Sequence, residues 1–337
     1  MEPLKIEQLK VFLEQKTGCS VSLGEFIKLS GGAIQENWAV DITVGDAAPI
    51  EAVLRCDAPS GVNDSHTREQ EYALLEVAYQ AGVTVPKPLW LGEPAVFGRS
   101  FFIMARAAGV AAGHRIVKDV SLASDRVALT RRIGQEIARI HSIKPPVAAL
   151  AFLGAPSADP IKDTLQEYKN FLDSHHTPFP ALEWGIRWLE LNQPDLWPCT
   201  LVHRDFRTGN FMVDAEGLTA VLDWEFTTWS DPREDLGWFC AKCWRFGQPA
   251  LEAGGVGTKT DLLQGYKNVS GRLLSPEDLV YWEVLAHVRW AVIAIKQGER
   301  HVSGAEPSLE LALTAHIVPE LELEILRMTG MQPEEVV

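Results

Sequence analysis

Cysteine is scarce in this 337-residue chain, with five in all, and Cys19, Cys56 and Cys199 stand at no framework spacing. An odd, scattered set excludes a disulfide-stapled secreted fold, and a reduced, cytoplasmic setting is expected. Cys240 and Cys243 form one C-x-x-C, but a closed zinc site takes four ligands and no second pair exists. They are expected as neighbours on a helix, facing a core. A long hydrophobic run is also missing: the longest, Val147 to Ala155, is bounded by Pro146 and Pro156 and falls far short of the roughly 20 residues a spanning helix needs. The first twenty residues mix Glu and Lys with apolar positions, unlike a secretory signal. Basic residues are outnumbered, 31 Lys and Arg against 45 Asp and Glu for a net charge of −14, and they form no block. Nucleic-acid binding is thereby disfavoured. An acidic surface attracts cations but equally serves solubility, so charge does not choose a substrate. Internal repeats and low-complexity segments are absent.

Apolar material is plentiful: 46% hydrophobic residues, with 11 Trp and 13 Phe, exceed what one ordinary core holds, and two lobes are expected. Ile6, Leu9, Phe12 and Leu13 recur at helical spacing before Gly18. The period then changes. Trp38, Val40, Ile42 and Val44 alternate with polar or small residues, and Gly45-Asp46 turns the chain into Ile50 to Arg55, which reads as a β-hairpin. Phe26 to Leu29 is an earlier strand leading into the turn Ser30-Gly31-Gly32-Ala33. Thr67 with Gln70 is a capping-box signature for a helix that Gly82 stops. Val83 to Pro88 and Ser100 to Met104 read as further strands, and Ala105 to Gly109 as a small-residue connection between lobes. Beyond it the helical period takes over, with helices expected over Leu129 to Ile140, Trp184 to Leu191, Arg233 to Trp244 and Glu277 to Ile295. Ser275-Pro276 supplies an N-cap and an N1 proline to the last of these. Gly254 to Lys259 reads as a surface loop.

The decisive stretch is His203-Arg204-Asp205-Phe206-Arg207-Thr208-Gly209-Asn210, followed after the turn Asp214 to Gly217 by Ala220-Val221-Leu222-Asp223-Trp224-Glu225. H-R-D-x-x-x-x-N arises by chance in only about two of a thousand chains this long. Asp205 on such a loop suits a base that orients a hydroxyl and accepts its proton. Asn210 and the strand-end Asp223 offer hard oxygens suited to Mg²⁺, which takes its remaining ligands from phosphates and water. Phosphoryl transfer needs these groups and little more. His203 reads as a hydrogen-bonder that orients the loop, and His141 as a satisfied core histidine.

This pattern resembles the protein-kinase-like fold, in its aminoglycoside phosphotransferase branch. Asp223-Trp224-Glu225 is similar to that branch's D-W-E metal motif, and Asp231-Pro232-Arg233-Glu234-Asp235-Leu236 to its D-P-x-x-D-L segment. Arg204 stands where small-molecule members commonly carry glycine. The resemblance implies an α+β bilobal fold: a small N-terminal antiparallel sheet lobe over residues 1–105 and a larger, mainly helical C-terminal lobe over residues 106–337. It implies Asp235 as a brace for the catalytic loop, Ser30, Gly31 and Gly32 as a loop over the phosphates, and Arg55 as a strand cation where protein kinases have lysine. Glu71 is its expected partner, since it shares a helix face with Leu74, Leu75 and Ala78 whereas Glu69 does not. A hinge over Met104, Ala105 and Ala107 completes the nucleotide site. The implied activity is Mg²⁺-dependent transfer of the γ-phosphoryl group of ATP or GTP to a hydroxyl on a small molecule. The closing helices, with Val280 to Val284 and Arg289-Trp290-Ala291, resemble the subgroup related to kinase-like domains attached to acyl-CoA dehydrogenases; Trp229, Trp238, Trp244, Trp282 and Trp290 read as helical core before a substrate cage, with Trp229 kept as a candidate for the acceptor wall. The alternative is a silent nucleotide sensor on the same fold, against which the retained base and metal ligands argue.

Overall fold

The computed structural model describes residues 3–29, 35–57 and 65–330. Leu9, Phe12 and Leu13 lie on the buried face of helix α1 (Pro3–Thr17). After it come strands β1 (Val21–Leu23), β2 (Ile27–Lys28), β3 (Gln35–Val44) and β4 (Ile50–Asp57). Thr67 then caps helix α2 (Arg68–Gln80) with both hydrogen bonds of the capping box in place. Strand β5 (Pro88–Gly92), the short helix α3 (Pro94–Phe97) and strand β6 (Phe101–Ala105) follow. The strands form one antiparallel sheet in the order β1-β3-β4-β6-β5, with β2 also on β3. Alternation along β4 sorts its side chains: Leu54 and Cys56 pack with Leu9 and Leu13 of α1, so Val53 and Arg55 point to the opposite face.

Residues 83–87, read as strand from their valines, join no sheet, and the strand begins only at Pro88. Val83 and Val85 are buried in the core, whereas Pro86 has no N–H to give a ladder.

From Ala105 onward helices dominate: α4 (Gly113–Lys118), α5 (Arg126–Ile140), α6 (Pro160–Asp173) and α7 (Pro180–Leu191). Two small antiparallel pairs interrupt them. Strand β7 (Thr200–Val202) pairs with β10 (Thr228–Ser230), and β8 (Phe211–Val213) pairs with β9 (Leu218–Val221). Helices α8 (Arg233–Cys240), α9 (Lys259–Ser270), α10 (Val280–Val302), α11 (Leu309–Ala315) and α12 (Val318–Met328) close the chain. Helices α5 and α9 cross at close range because Gly134 and Gly265 carry no Cβ, which at either position would overlap a backbone carbonyl of the facing helix. Among the described residues, no helix is long and apolar enough to cross a membrane.

Two further expectations are corrected. The helix read over Arg233 to Trp244 breaks at Ala241 (φ −56°, ψ 140°) and resumes as a 3₁₀ turn at Lys242–Trp244. Gly254 to Lys259 is no surface loop: Gly254, Gly255, Val256 and Gly257 are buried. Gly254 O accepts from Thr208 Oγ1 at 2.7 Å. A Cβ at Gly254 would overlap Thr208 Oγ1, so the missing side chain lets it lie against the loop that carries Asp205.

Candidate active site

Two loops leave the small strand pairs side by side, residues 203–210 between β7 and β8 and residues 222–227 between β9 and β10. Asp235, fully buried in the first turn of α8, accepts from the backbone N–H of His203 at 2.7 Å, from that of Arg204 at 2.8 Å, and contacts His141 Nε2 at 3.0 Å. Burial opposes its charge, but the hydrogen bond and cationic character of His141 and the amide of His203 hold the carboxylate below its ordinary range. Through these bonds Arg204 is kept at φ 63°. A non-glycine residue adopts that left-handed turn at a cost of about 1–2 kcal/mol, and a glycine would take it without strain.

His203 is fully buried, donates from Nε2 to Leu222 O at 2.8 Å and accepts the Asp205 N–H at Nδ1 at 3.3 Å. With both ring nitrogens engaged by backbone groups, His203 holds the loop in one orientation. Leu222 N–H in turn donates to Asn210 O at 2.8 Å. Both backbone groups of Leu222 are therefore tied to the 203–210 loop, and the next residue, Asp223, is carried to its edge with φ 59°.

The Asp205 carboxylate faces two ways. Its Oδ2 accepts from Asn210 Nδ2 at 2.5 Å, and that same amide nitrogen reaches Asp205 O at 2.9 Å. Its Oδ1 accepts from Trp238 Nε1 at 3.1 Å and from Arg207 Nε at 3.3 Å. With Asn210 Nδ2 directed at Asp205, the side chain's remaining polar atom is its oxygen. Asp223 gives Oδ1 to Arg55 Nη2 at 3.0 Å and stays 36% exposed.

Arg55 is the link to the sheet. Its Nε and Nη2 contact Glu71 at 3.1 and 2.9 Å, and Arg68 also binds the Glu71 carboxylate. Glu69 faces outward and accepts from Ser100 instead. Burial works against the Arg55 charge, yet Glu71, Asp223 and Glu225 together hold its pKa above the ordinary arginine value. The Glu225 carboxyl is pushed up to about 7 by burial, with Arg55 opposing and Asp223 adding to the shift.

Met104 and Ala105 end β6, opposite Val53 and Ala52. The amide of Ala105 donates to Lys87 O at 2.8 Å and that of Arg106 to Glu51 O at 2.9 Å. Ala107 is the next residue, and its N–H has no backbone partner among the described residues. Ser30, Gly31 and Gly32 lie outside the described residues.

Sequence reasoning missed Trp238, Arg207 and Arg68. Trp238 had a readable signal, since it stands three residues after Asp235 and shares its helix face. Trp229 is a core residue, as expected, though on strand β10 opposite Leu201 and not on a helix, and at 5% exposure it is no acceptor wall.

The sequence profile of the phosphotransferase enzyme family (APH) matches residues 25–270. Mouse acyl-CoA dehydrogenase family member 10 is 34% identical over 200 residues, 56% of this chain and 18% of that protein. Family member 11 from Pongo abelii is 27% identical over 297 residues, 83% of this chain and 37% of that protein. The chain thus spans well under half the length of these curated relatives, and the resemblance to kinase-like domains of acyl-CoA dehydrogenase-associated proteins is present in the sequence. A crystal structure from Ralstonia eutropha JMP134, assigned to the aminoglycoside phosphotransferases, superposes with a TM-score of 0.76 at 22% identity, covering 96% of this chain and 98% of that one. That likeness carries the fold. Since the family profile runs from before β2 to the last residue of α9, through the whole 203–225 segment, the chain belongs to the phosphotransferase enzyme family.

Proposed function

We propose that the protein is a kinase for a small hydroxylated molecule, with ATP or GTP as donor, Mg²⁺ as cofactor and Asp205 as the base. The observation that carries this reading is the joining of Asp205, Asn210 and Asp223 through the short hydrogen bonds of the 203–210 loop and Leu222. In the proposed step the acceptor hydroxyl oxygen bonds to the γ-phosphorus, the bond to the β–γ bridging oxygen breaks, and the nucleoside diphosphate leaves with that electron pair. The hydroxyl proton passes to the Asp205 carboxylate, which two donors on one oxygen and one on the other hold in a single orientation.

The donor set fits Mg²⁺. Asn210 Oδ1 and the Asp223 carboxylate are hard oxygens, and two protein ligands suit an ion that keeps phosphate oxygens and water. When bound there, Mg²⁺ would neutralise charge developing on the phosphoryl oxygens. Arg55 would add a permanent positive charge beside the phosphate chain, held in place by Glu71. Ser30, Gly31 and Gly32 are assigned to cover the phosphates, and Met104, Ala105 and Ala107 to border the base. The acceptor side belongs to residues 106–337 and the nucleotide side to residues 1–105. The test is thermal shift with Mg-ATP and Mg-GTP beside a phosphorylation screen over hydroxylated metabolites. Stabilisation with turnover supports the kinase, and stabilisation without turnover anywhere in a broad screen favours the silent sensor.

A further inference from the structure

The Arg289 side chain of α10 makes no hydrogen bond or ion pair among the described residues, and its guanidinium lies 4.6 Å from the centre of the Trp238 ring. The same indole donates its N–H to Asp205 Oδ1. A second cation repeats the arrangement: Arg207 lies 4.8 Å over the Trp244 ring and contacts that same Oδ1. The two indoles are neighbours, 5.2 Å apart. Arg204 is a third cation nearby, with its Nε buried and lacking a hydrogen-bond partner among the described residues, and 3.7 Å from Glu234. Burial and the Arg204 charge both disfavour the Arg289 cation, while Tyr168, Glu234 and Asp205 favour it.

An arginine fork offers five donors, and this half-buried guanidinium, stacked on an indole and pairing with no side chain among the described residues, leaves them to solvent or a ligand beside a like charge. Such a group is stabilised by a carboxylate or phosphate, which it binds through two parallel hydrogen bonds. The two carboxylate oxygens of Asp205 separate Arg289 from the proposed metal ligand Asn210. Asp205 Oδ2 turns toward Asn210, whereas Oδ1 turns toward Trp238 and Arg207. We propose that the acceptor is an anion, a hydroxyl compound whose carboxylate or phosphate group Arg289 binds, about one indole from the hydroxyl held at Asp205. The proposal rests on the kinase reading.

The experiment uses wild-type protein, Arg289→Gln and Arg289→Lys, with short ω-hydroxy carboxylates, their methyl esters, ω-hydroxyalkyl phosphates and amino alcohols as probes. Thermal shift reads binding, a coupled nucleotide-consumption assay reads turnover, and the melting temperature without ligand reports folding. Carboxylates or phosphates are expected to bind the wild type, and the comparison of the two identifies which group the site takes. Esters and amino alcohols are expected not to bind. Arg289→Gln should raise the anion's KM about ten- to a hundredfold, the worth of a charge-assisted hydrogen bond, with Arg289→Lys between the two and nucleotide affinity unchanged. Equal use of ester and anion, preference for an amino alcohol, or a drop in nucleotide affinity in Arg289→Gln overturns the anion site and leaves the kinase reading standing. Arg289-dependent anion binding without phosphorylation of any probe supports the site and counts against the kinase. Absence of anion binding to the wild type overturns the site outright.

Discussion

Arg55 Nη2 lies 3.0 Å from Asp223 Oδ1, so a side chain of β4 meets one in the loop after β9 that is 168 residues distant in sequence. The same guanidinium is anchored on Glu71, and the contact ties the sheet and α2 to the loops around Asp205. Arg55→Met is expected to lower stability by about 3 kcal/mol, the low end for breaking a buried pair, because Arg68 still binds Glu71. Arg55→Lys keeps the charge but cannot form the fork, and should lose about 1 kcal/mol. Urea unfolding checks both, and wild-type stability in Arg55→Met would show that the bridge contributes nothing.

Asp205→Ala and Asp223→Ala should separate the base from the metal ligand. The first is expected to leave Mg-nucleotide binding near the wild-type level while turnover falls by about two to four decades. The second should remove Mg²⁺-dependent nucleotide binding, measured by titration calorimetry. Normal nucleotide affinity in Asp223→Ala would count against its role, as full turnover in Asp205→Ala would against the base.

Trp238→Phe removes the indole N–H from Asp205 Oδ1 and keeps an aromatic face for Arg289. Loss of one donor to a charged acceptor is worth about 1.5 kcal/mol, so kcat should fall roughly tenfold. KM for the nucleotide is expected to stay constant. A change confined to the melting temperature would reduce Trp238 to packing.

His287 of α10 is a buried acid sensor of stability. Its Nδ1–H donates to Glu283 O at 2.6 Å, Nε2 has no partner among the described residues, and burial pushes the imidazole down to about 4 from 6.5. The backbone of Glu283 and the charge of Glu324 on α12 oppose that shift, and Arg245 and Lys242 reinforce it. The unfolded chain therefore takes up a proton at this residue between pH 6.5 and 4 while the folded one does not. The contribution is fully present above pH 6.5 and is lost as pH falls toward 4, by about 3 kcal/mol. In His287→Gln this part of the acid slope should vanish, and urea titrations at several pH values across the window will show it.

Local patterns were legible in the residues themselves. The Thr67 capping box, the alternation that turns Arg55 to the α2 face, and the helical period that selects Glu71 over Glu69 all depend on neighbours a few positions away. Misreadings arose where a local rule met a packing constraint. Val83 and Val85 are buried as a strand's would be, yet that segment joins no sheet, and the glycines after Ala253 look like solvent loop but are buried, with Gly254 against Thr208.

By itself the sequence determined the elements and the spacing of Asp205, Asn210 and Asp223, because periodicity, capping and turn formation act over a few residues of contiguous chain. Only the tertiary structure decided that Trp238 donates to Asp205, that Arg289 rests on that indole, and that Gly254 supports the loop from below. Those meetings depend on how α8 and α10 lie against the 203–210 loop, which is set by side-chain volumes summed over the whole core.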